Sequence, residues 1–319
     1  MRMLVTKKNE MKIIIHTVVD FFNMDSFISK YFRKSIFLTR LIPKYSFYSQ
    51  KRKKRIKIND VKFIIEPSDL VQHILLKPNV KKVVNYGIEY LIKQARNYKD
   101  EPVVVFDIGA NCGQFSLLCM SEVKRKFPHT KISIHAFEPN PYVFERLNQN
   151  LELNKKLADN IKHFQKGIGE KKATLEIQMP LRNSGAGSLL RNYEHEPNEI
   201  HLVDIVSLDE HISKELITEK VAFLKIDVEG FEPKVLMGAN KTISNNLPDI
   251  YIEMGQSEPI QKFIFNYLRE RNYKIFAEIG TSLTPVTEAN ETYFINEISL
   301  YNVFATCSET FHNKIQSLT

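Results

Sequence analysis

Cysteine and long apolar runs are both scarce in this sequence, and each scarcity excludes a class of protein. The three cysteines, Cys112, Cys119 and Cys307, are scattered and form no CxxC pair or Cys/His cluster. Neither a disulfide framework nor a zinc site is therefore predicted. No stretch approaches the ~20 apolar residues that a membrane-spanning helix requires. The hydrophobic content of 43% is that of a globular chain, and we expect a cytoplasmic protein without a metal site.

Excess positive charge is absent from most of the chain and concentrated at its N-terminus. Residues 1–60 hold 15 Lys and Arg against four acidic residues, whereas the remainder holds 30 basic and 33 acidic residues. We therefore divide the chain into a basic N-terminal extension, residues 1–60, and a domain, residues 61–319. Because the excess does not extend over the domain, nucleic acid is not an expected partner.

The extension itself allows two interpretations. The charge run Lys51–Lys57 is typical of a solvated linker. The stretch Met24–Ile42, however, spaces apolar residues among basic ones in a roughly helical pattern. This amphipathic stretch favours peripheral contact with an anionic membrane as the functional alternative.

Strand and helix patterns alternate through the rest of the sequence. A strand pair or one bent strand is predicted over Ile56–Pro67 and a helix over Tyr86–Tyr98. The further predicted strands are PVVVFDIG, KISIHAFEPN, IKHFQKGIG, ATLEIQMP, HLVDIVSL, VAFLKIDVEG, PDIYIEM, YKIFAEI and LYNVFATC. Amphipathic helices separate many of them, one being a single helix over FEPKVLMGANKTIS. This alternation indicates an α/β fold with a mainly parallel sheet covered on both faces.

The stretch FDIGANCGQF, Phe106–Phe115, follows the first of these strands and contains two of the chain's eleven glycines. Ligands of open α/β sheets bind beyond the carboxyl ends of the strands, and glycine lets a ligand approach the backbone closely. We call residues 109–113 the glycine loop. Asn111 and Gln114 stand where the dinucleotide fingerprint needs glycines, so a pyrophosphate cradle is not predicted. A nucleoside with a small polar tail fits better, with Asp107 near that tail or, alternatively, acting only as a turn or capping residue.

Glu138 ends the next strand, in FEPNP. A carboxylate in this position can accept both hydroxyls of a ribose. The alternative is a surface glutamate before a turn, but the glycine loop on the preceding strand favours the ribose. We assign Asn140, from the same stretch, to the cofactor site as well.

A third set of polar residues lies in and after LKIDVEGFEP. Lys225 and Asp227 share one side of the strand, Glu229 follows its end, and Glu253 ends the next strand. Lys225 and Asp227 could simply pair with each other, since buried charges are costly alone. The functional interpretation makes Asp227, Glu229 and Lys225 catalytic. In it Asp227 accepts a hydroxyl proton or orients the nucleophile, and Glu229 does the same or binds a cation alongside it.

Together, the stretches FDIGANCGQFS, FEPNP, NSGAGSL, VSLDE and LKIDVEGFEPKVLMGA resemble the FkbM family of S-adenosylmethionine-dependent methyltransferases. Their order and spacing match from about residue 83 to about residue 255. The resemblance implies a Rossmann-like class I methyltransferase fold with a seven-stranded sheet. It also implies S-adenosylmethionine on Asp107, Gly109, Asn111 and Gly113, with Glu138 on its ribose. It places the loop Arg182–Pro197 near the active site.

The family resemblance implies methylation of hydroxyls on sugars and other small natural products. No N-P-P-[YFW] stretch, which would favour methylation of a nucleobase, is present. We therefore expect O-methylation of a glycan or related polyhydroxylated small molecule. The alternatives are a non-catalytic binding module of the same fold, a nucleic-acid methyltransferase, and a NAD-type oxidoreductase, which Asn111 and Gln114 disfavour.

Overall fold

The computed structural model describes residues 53–66, 88, 91, 101–180, 198–255, 257–279, 282–298 and 301–308. The amphipathic stretch Met24–Ile42 and the loop Arg182–Pro197 lie outside the described residues, as does most of the helix predicted over Tyr86–Tyr98. Ile88 and Leu91 of that helix are described, and both are helical and buried.

An eight-stranded sheet forms the centre of the described fold. Numbered in chain order, its strands are β3 (Val103–Ile108), β4 (Ile132–Phe137), β5 (Ile161–Phe164), β9 (Lys220–Ile226), β10 (Asp249–Met254), β11 (Lys274–Ile279), β12 (Ser282–Pro285) and β13 (Tyr301–Thr306). Their spatial order is β12-β11-β13-β10-β9-β3-β4-β5. The five strands from β10 to β5 are parallel to one another, whereas the pairs β10–β13, β13–β11 and β11–β12 are antiparallel.

Helices cover both faces of this sheet. In chain order they are α1 (Gln114–Lys126), α2 (Pro141–Leu153), α3 (Lys155–Ala158), α4 (Leu208–Lys214), α5 (Glu232–Gly238), α6 (Asn240–Asn246), α7 (Glu258–Arg269) and α8 (Glu291–Glu297). All six residues of β3 are buried; Val103 and Val105 join the core beside α1 and α2, and Val104 and Phe106 join the core beside α5 to α7. Burial on both faces explains why the first four residues of this strand, Val103–Phe106, are a continuous apolar run.

The α/β class and the mainly parallel sheet are confirmed, whereas the predicted count of seven strands is one too few. The sheet has an eighth strand, β12, because a short antiparallel edge strand follows β11. The strands β6 (Gly167–Ile168), β7 (Ala173–Pro180) and β8 (Asn198–Val206) form a separate three-stranded sheet, order β6-β8-β7. The helix predicted over FEPKVLMGANKTIS is two helices, α5 and α6, which meet at Ala239.

A hairpin precedes the main sheet in the chain. Strands β1 (Lys54–Ile58) and β2 (Val61–Ile65) pair antiparallel, as one of the two predicted arrangements requires. Val61, Phe63 and Ile65 are fully buried in the core beside α1 and α2. The predicted domain division at residue 60 falls in the turn of this hairpin.

No helix in the described part of the chain is long and apolar enough to cross a membrane.

Candidate active site

Four neighbouring parallel strands bring the predicted site residues to one edge of the sheet. Asp107 is near the end of β3, Glu138 follows β4, Asp227 follows β9 and Glu253 is near the end of β10. These are carboxyl ends, the edge at which α/β sheets bind ligands.

The glycine loop contacts the end of β9 backbone to backbone. A Cβ added to Gly109 would lie 1.8 Å from the backbone oxygen of Asp227, a contact that no other residue type can make without displacement. Gly109, Asn111 and Gly113 have φ angles of 79°, 50° and 83°, which glycine and asparagine adopt most readily. The backbone conformation of the loop therefore requires glycine at positions 109 and 113 and favours asparagine at position 111.

Every backbone amide of the glycine loop already donates to a protein acceptor. For residues 109 to 113 in order, the acceptors are the Phe137 carbonyl twice, Glu138 Oε2, Asn111 Oδ1 and the Ala110 carbonyl, at 3.0, 2.9, 2.9, 2.7 and 2.9 Å. A pyrophosphate cradle needs such amides to point at the ligand. The loop therefore lacks what a dinucleotide requires, which agrees with the absence of the fingerprint.

Glu138 links the glycine loop to the end of β4. Its Oε2 accepts from the Asn111 amide and its Oε1 from the Asn140 amide, both at 2.9 Å. Burial raises the pKa of Glu138 to about 7, against the opposing effect of the two amide bonds. Each carboxylate oxygen has a further lone pair, so this side chain can still accept two ribose hydroxyls.

A buried lysine joins the ends of β3 and β9. Lys225 Nζ lies 3.3 Å from both Asp107 Oδ1 and Asp227 Oδ2 and donates to the Gly109 carbonyl at 2.5 Å. Asp107 Oδ2 accepts from the Ser116 hydroxyl at 2.6 Å. Burial disfavours the ammonium, but Asp227 and Asp107 outweigh it and raise the pKa of Lys225. The Lys225–Asp227 pair considered as the structural alternative is thus present, and it extends to Asp107.

Glu253 lies beside Asp227. The register pairs Ile252 of β10 with Ile226 of β9, so Glu253 and Asp227, the next residue after each, are neighbours. Their side chains hydrogen-bond. The negative charge of Asp227, then burial and this hydrogen bond, raise the pKa of Glu253 to about 10. These effects favour the protonated form of Glu253, in which its carboxyl group donates to Asp227. The Asp227 side chain remains 43% exposed and can also accept a hydrogen bond from a hydroxyl group of a bound molecule.

The turn after β9 holds two further acids. Glu229 has a φ of 53° and is half-buried, and its charge contributes to the raised pKa of Glu253. Glu232, 1% exposed, accepts from the amides of Val228 and Gly230 at 3.2 and 3.0 Å and so holds this turn. Within the described ranges, no three His, Cys, Asp or Glu side chains are placed to hold a metal ion.

One predicted residue, Asn140, has a structural role at a helix end, and two residues that bond to the site, Ser116 and Glu232, are not predicted. The Asn140 side chain caps α2 by accepting from the Tyr142 and Val143 amides at 3.0 and 3.3 Å, so its contact with a cofactor stays a prediction. Ser116 is not among the predicted site residues, although a hydroxyl one helical turn past a glycine loop is a readable signal. Glu232, preceding Pro233 at a helix start, also gave a signal for a capping role.

The residues at this edge fit S-adenosylmethionine. The Glu138 carboxylate suits the ribose hydroxyls, and the glycine loop offers no free amides to a pyrophosphate. Asp107 and Asp227 bring negative charge, compensated by Lys225, to the neighbouring strand ends, where a cationic sulfonium and a hydroxyl would meet. The specific contacts of Asp107, Gly109, Asn111 and Gly113 with the cofactor stay predictions.

Comparison with known families agrees with this geometry. The sequence model of the methyltransferase FkbM domain matches residues 107–275, just over half of the chain. The match begins at Asp107 and includes the glycine loop, Glu138, Lys225, Asp227 and Glu253.

Named relatives are also methyltransferases. Methyltransferase 1 of Beauveria bassiana is 27% identical over 178 residues, 50% of this chain and 68% of the relative. The hexuronic acid methyltransferase AglP of Haloferax volcanii is 24% identical over 160 residues, 50% of this chain and 59% of the relative. A crystal structure of a methyltransferase FkbM from Methylobacillus flagellatus KT aligns with a TM-score of 0.43 and 20% identity, covering 65% of this chain and 44% of that one.

Proposed function

This chain belongs to the FkbM family of S-adenosylmethionine-dependent methyltransferases, and we propose that it methylates a hydroxyl group on a glycan or related polyhydroxylated small molecule. The transferase activity and the cofactor follow from the family. The acceptor is the part that we propose.

The observation that carries the proposal is the arrangement of Asp227 and Glu253 beside the glycine loop. The Asp227 carboxylate is 43% exposed just past the end of β9, and the backbone carbonyl of the same residue packs against Gly109. A carboxylate held as an acceptor suits a hydroxyl donor, which it can align for transfer. Three carboxyl groups, those of Asp227, Glu229 and Glu253, offer several such contacts to a molecule with many hydroxyls.

In the proposed reaction each side chain has a separate task. Bound S-adenosylmethionine supplies an activated methyl group. Glu138 holds the ribose, and Asp227 accepts the hydrogen bond of the attacking hydroxyl and orients its oxygen. Glu253 donates its proton to the other side of Asp227, and Lys225 fixes Asp227 and compensates its charge. Because both partners of Asp227 are donors, Asp227 chiefly orients the hydroxyl. As the hydroxyl oxygen bonds to the methyl carbon and the sulfur–methyl bond breaks, the hydroxyl proton passes through the exposed Asp227 carboxylate to solvent.

A relative supports this acceptor class. The Haloferax volcanii relative is named a hexuronic acid methyltransferase, and a hexuronic acid is a polyhydroxylated sugar acid. It bears hydroxyl groups and a carboxyl group, so a test must separate methyl ethers from methyl esters.

The test is methyl transfer from labelled S-adenosylmethionine to a panel of acceptors. The panel contains neutral oligosaccharides, uronic acids and an RNA transcript, with Asp227→Asn as the control enzyme. We expect base-stable label on a sugar acceptor, since methyl ethers survive mild alkali, and little label with Asp227→Asn. Base-labile label would show that a carboxyl group is the acceptor, and label on the transcript alone would show a nucleic-acid methyltransferase.

We also propose that the basic N-terminal residues contact anionic membrane surfaces. Fifteen basic residues among the first 60 support this, since each cation near an anionic surface adds affinity that salt screens. Sedimentation with phosphatidylserine vesicles should show binding that falls as salt rises. Equal recovery with neutral phosphatidylcholine vesicles would contradict the proposal.

A further inference from the structure

A stripe of polar residues on α2 and at its C-cap residue, Asn154, faces the edge of β2. Arg146, Asn150 and Asn154 follow one another at intervals of four, and all three are more than nine-tenths buried, with exposures of 6%, 0% and 9%. Residues four apart share one face of a helix. Because these polar side chains are buried, they need hydrogen-bond partners inside the protein.

Strand β2 and the residue after it provide those partners. Asn154 accepts from the Lys62 amide at 3.0 Å and donates to the Lys62 carbonyl at 2.7 Å. Asn150 accepts from the Ile64 amide at 2.7 Å, and Arg146 pairs with Glu66 at 3.3 Å.

The two spacings match. Four helical residues advance about 6 Å and two strand residues about 6.6 Å, so the stripe on α2 meets every second residue of β2. Within the described hairpin β1 pairs with one edge of β2, and the two asparagines satisfy backbone groups along the other. The hairpin is thus attached to α2 by backbone hydrogen bonds as well as by apolar packing.

Asn150 makes one contact that Asn154 does not. Its Nδ2 donates to the carbonyl of Cys112, inside the glycine loop, at 2.8 Å. A single buried amide therefore accepts from the hairpin and donates to the loop. Asparagine is suited to this because it has a donor and an acceptor on one planar group.

We propose that Asn150 is a positioning residue that holds the glycine loop in its cofactor-binding conformation and couples it to the β1–β2 hairpin. The expected effect of Asn150 on cofactor affinity rests on the proposed function. Its effect on the loop itself requires no cofactor. Because Cys112 lies between Asn111 and Gly113, both with positive φ, loss of the contact frees the part of the loop with the least common backbone conformation.

The matched pair Asn150→Ala and Asn154→Ala tests this. Asn150→Ala removes one side-chain bond to β2 and Asn154→Ala removes two, but only Asn150→Ala removes the bond to the loop. The first readout is amide hydrogen exchange of residues 109–113 in the cofactor-free protein. The second is calorimetric affinity for S-adenosylhomocysteine, with thermal unfolding recorded for both variants.

We expect faster loop exchange in Asn150→Ala only, and an affinity loss of about tenfold, the size expected for one buried hydrogen bond. Asn154→Ala should lower the melting temperature while leaving loop exchange and affinity near those of the wild type. Equal changes in both variants, or none in Asn150→Ala, would overturn the proposal. If Asn150→Ala alone accelerates loop exchange but the wild type binds no S-adenosylhomocysteine, the coupling stands and the proposed function fails.

Discussion

At the scale of single residues, Glu138 connects the two strands that carry the cofactor assignment. Its carboxylate is buried, accepts from two backbone amides and has lone pairs left for a ribose. Glu138→Ala should weaken binding of S-adenosylhomocysteine by about tenfold or more, since hydrogen bonds to a charged group are among the stronger ones. Calorimetric titration measures this, and unchanged affinity would remove the ribose assignment.

The same residue predicts a pH dependence of cofactor affinity. Burial raises the pKa of Glu138 to about 7 in the free protein, and ribose hydroxyls need the deprotonated carboxylate as acceptor. Affinity for S-adenosylhomocysteine should therefore be constant above pH 7 and fall below it, by up to about tenfold per pH unit. Titrations between pH 5.5 and 8 should show this slope in the wild type. Glu138→Gln should bind weakly with no slope, and a slope retained in that variant would assign the titration to another group.

Glu253 differs from the other acids because its proton, not its charge, is the proposed functional feature. Glutamine can replace a protonated carboxyl as a donor to Asp227, whereas alanine cannot. We expect kcat/KM of Glu253→Gln to stay within about threefold of the wild type, and that of Glu253→Ala to fall about tenfold or more. Steady-state kinetics on the identified acceptor decides this. If the glutamine variant lost as much as the alanine variant, the charge on Glu253 would be what matters.

At the scale of elements, the junction of the glycine loop with β9 is the tightest contact of the site. Gly109→Ala places a Cβ against the Asp227 backbone and strains a positive φ. We expect the free energy of unfolding to fall by about 3 kcal/mol or more, with loss of cofactor binding.

Gly255 offers a matched control at the same edge. A Cβ there would meet nothing within 4 Å, so Gly255→Ala should change the free energy of unfolding by less than about 0.5 kcal/mol. Denaturant titration of both variants gives the comparison. Similar stability of the two would show that the loop can move away from β9.

The elements also show which features a sequence can predict. The central strands and the site residues at their ends were predictable, because apolar runs followed by glycine or acid are local signals. The edge strand β12 is four residues long and gave no such signal. The separate sheet of β6, β7 and β8, and the contacts of Asn150 with Ile64 and Cys112, depend on pairings between distant segments. Those pairings follow from tertiary packing, which local patterns do not encode.

At the scale of the whole molecule, the hairpin sets how much of the N-terminus the domain needs. Val61, Phe63 and Ile65 are fully buried, and α2 bonds to β2 as described above. Removal of residues 1–52 should leave affinity for S-adenosylhomocysteine unchanged. Removal of residues 1–66 should lower stability and weaken that affinity, because the apolar strand and the partners of α2 are lost. Calorimetry and thermal unfolding of the two truncations test this, and full affinity in the longer truncation would contradict it.

The ligand that the carboxyl edge of the sheet accepts distinguishes a methyltransferase from an oxidoreductase. Calorimetric titration of the full-length protein with S-adenosylhomocysteine, and separately with NAD, tests that most directly. We predict micromolar binding of S-adenosylhomocysteine and none of NAD, because the amides of the glycine loop are all bonded within the protein. Binding of NAD without S-adenosylhomocysteine would contradict the cofactor assignment and the methyl transfer built on it.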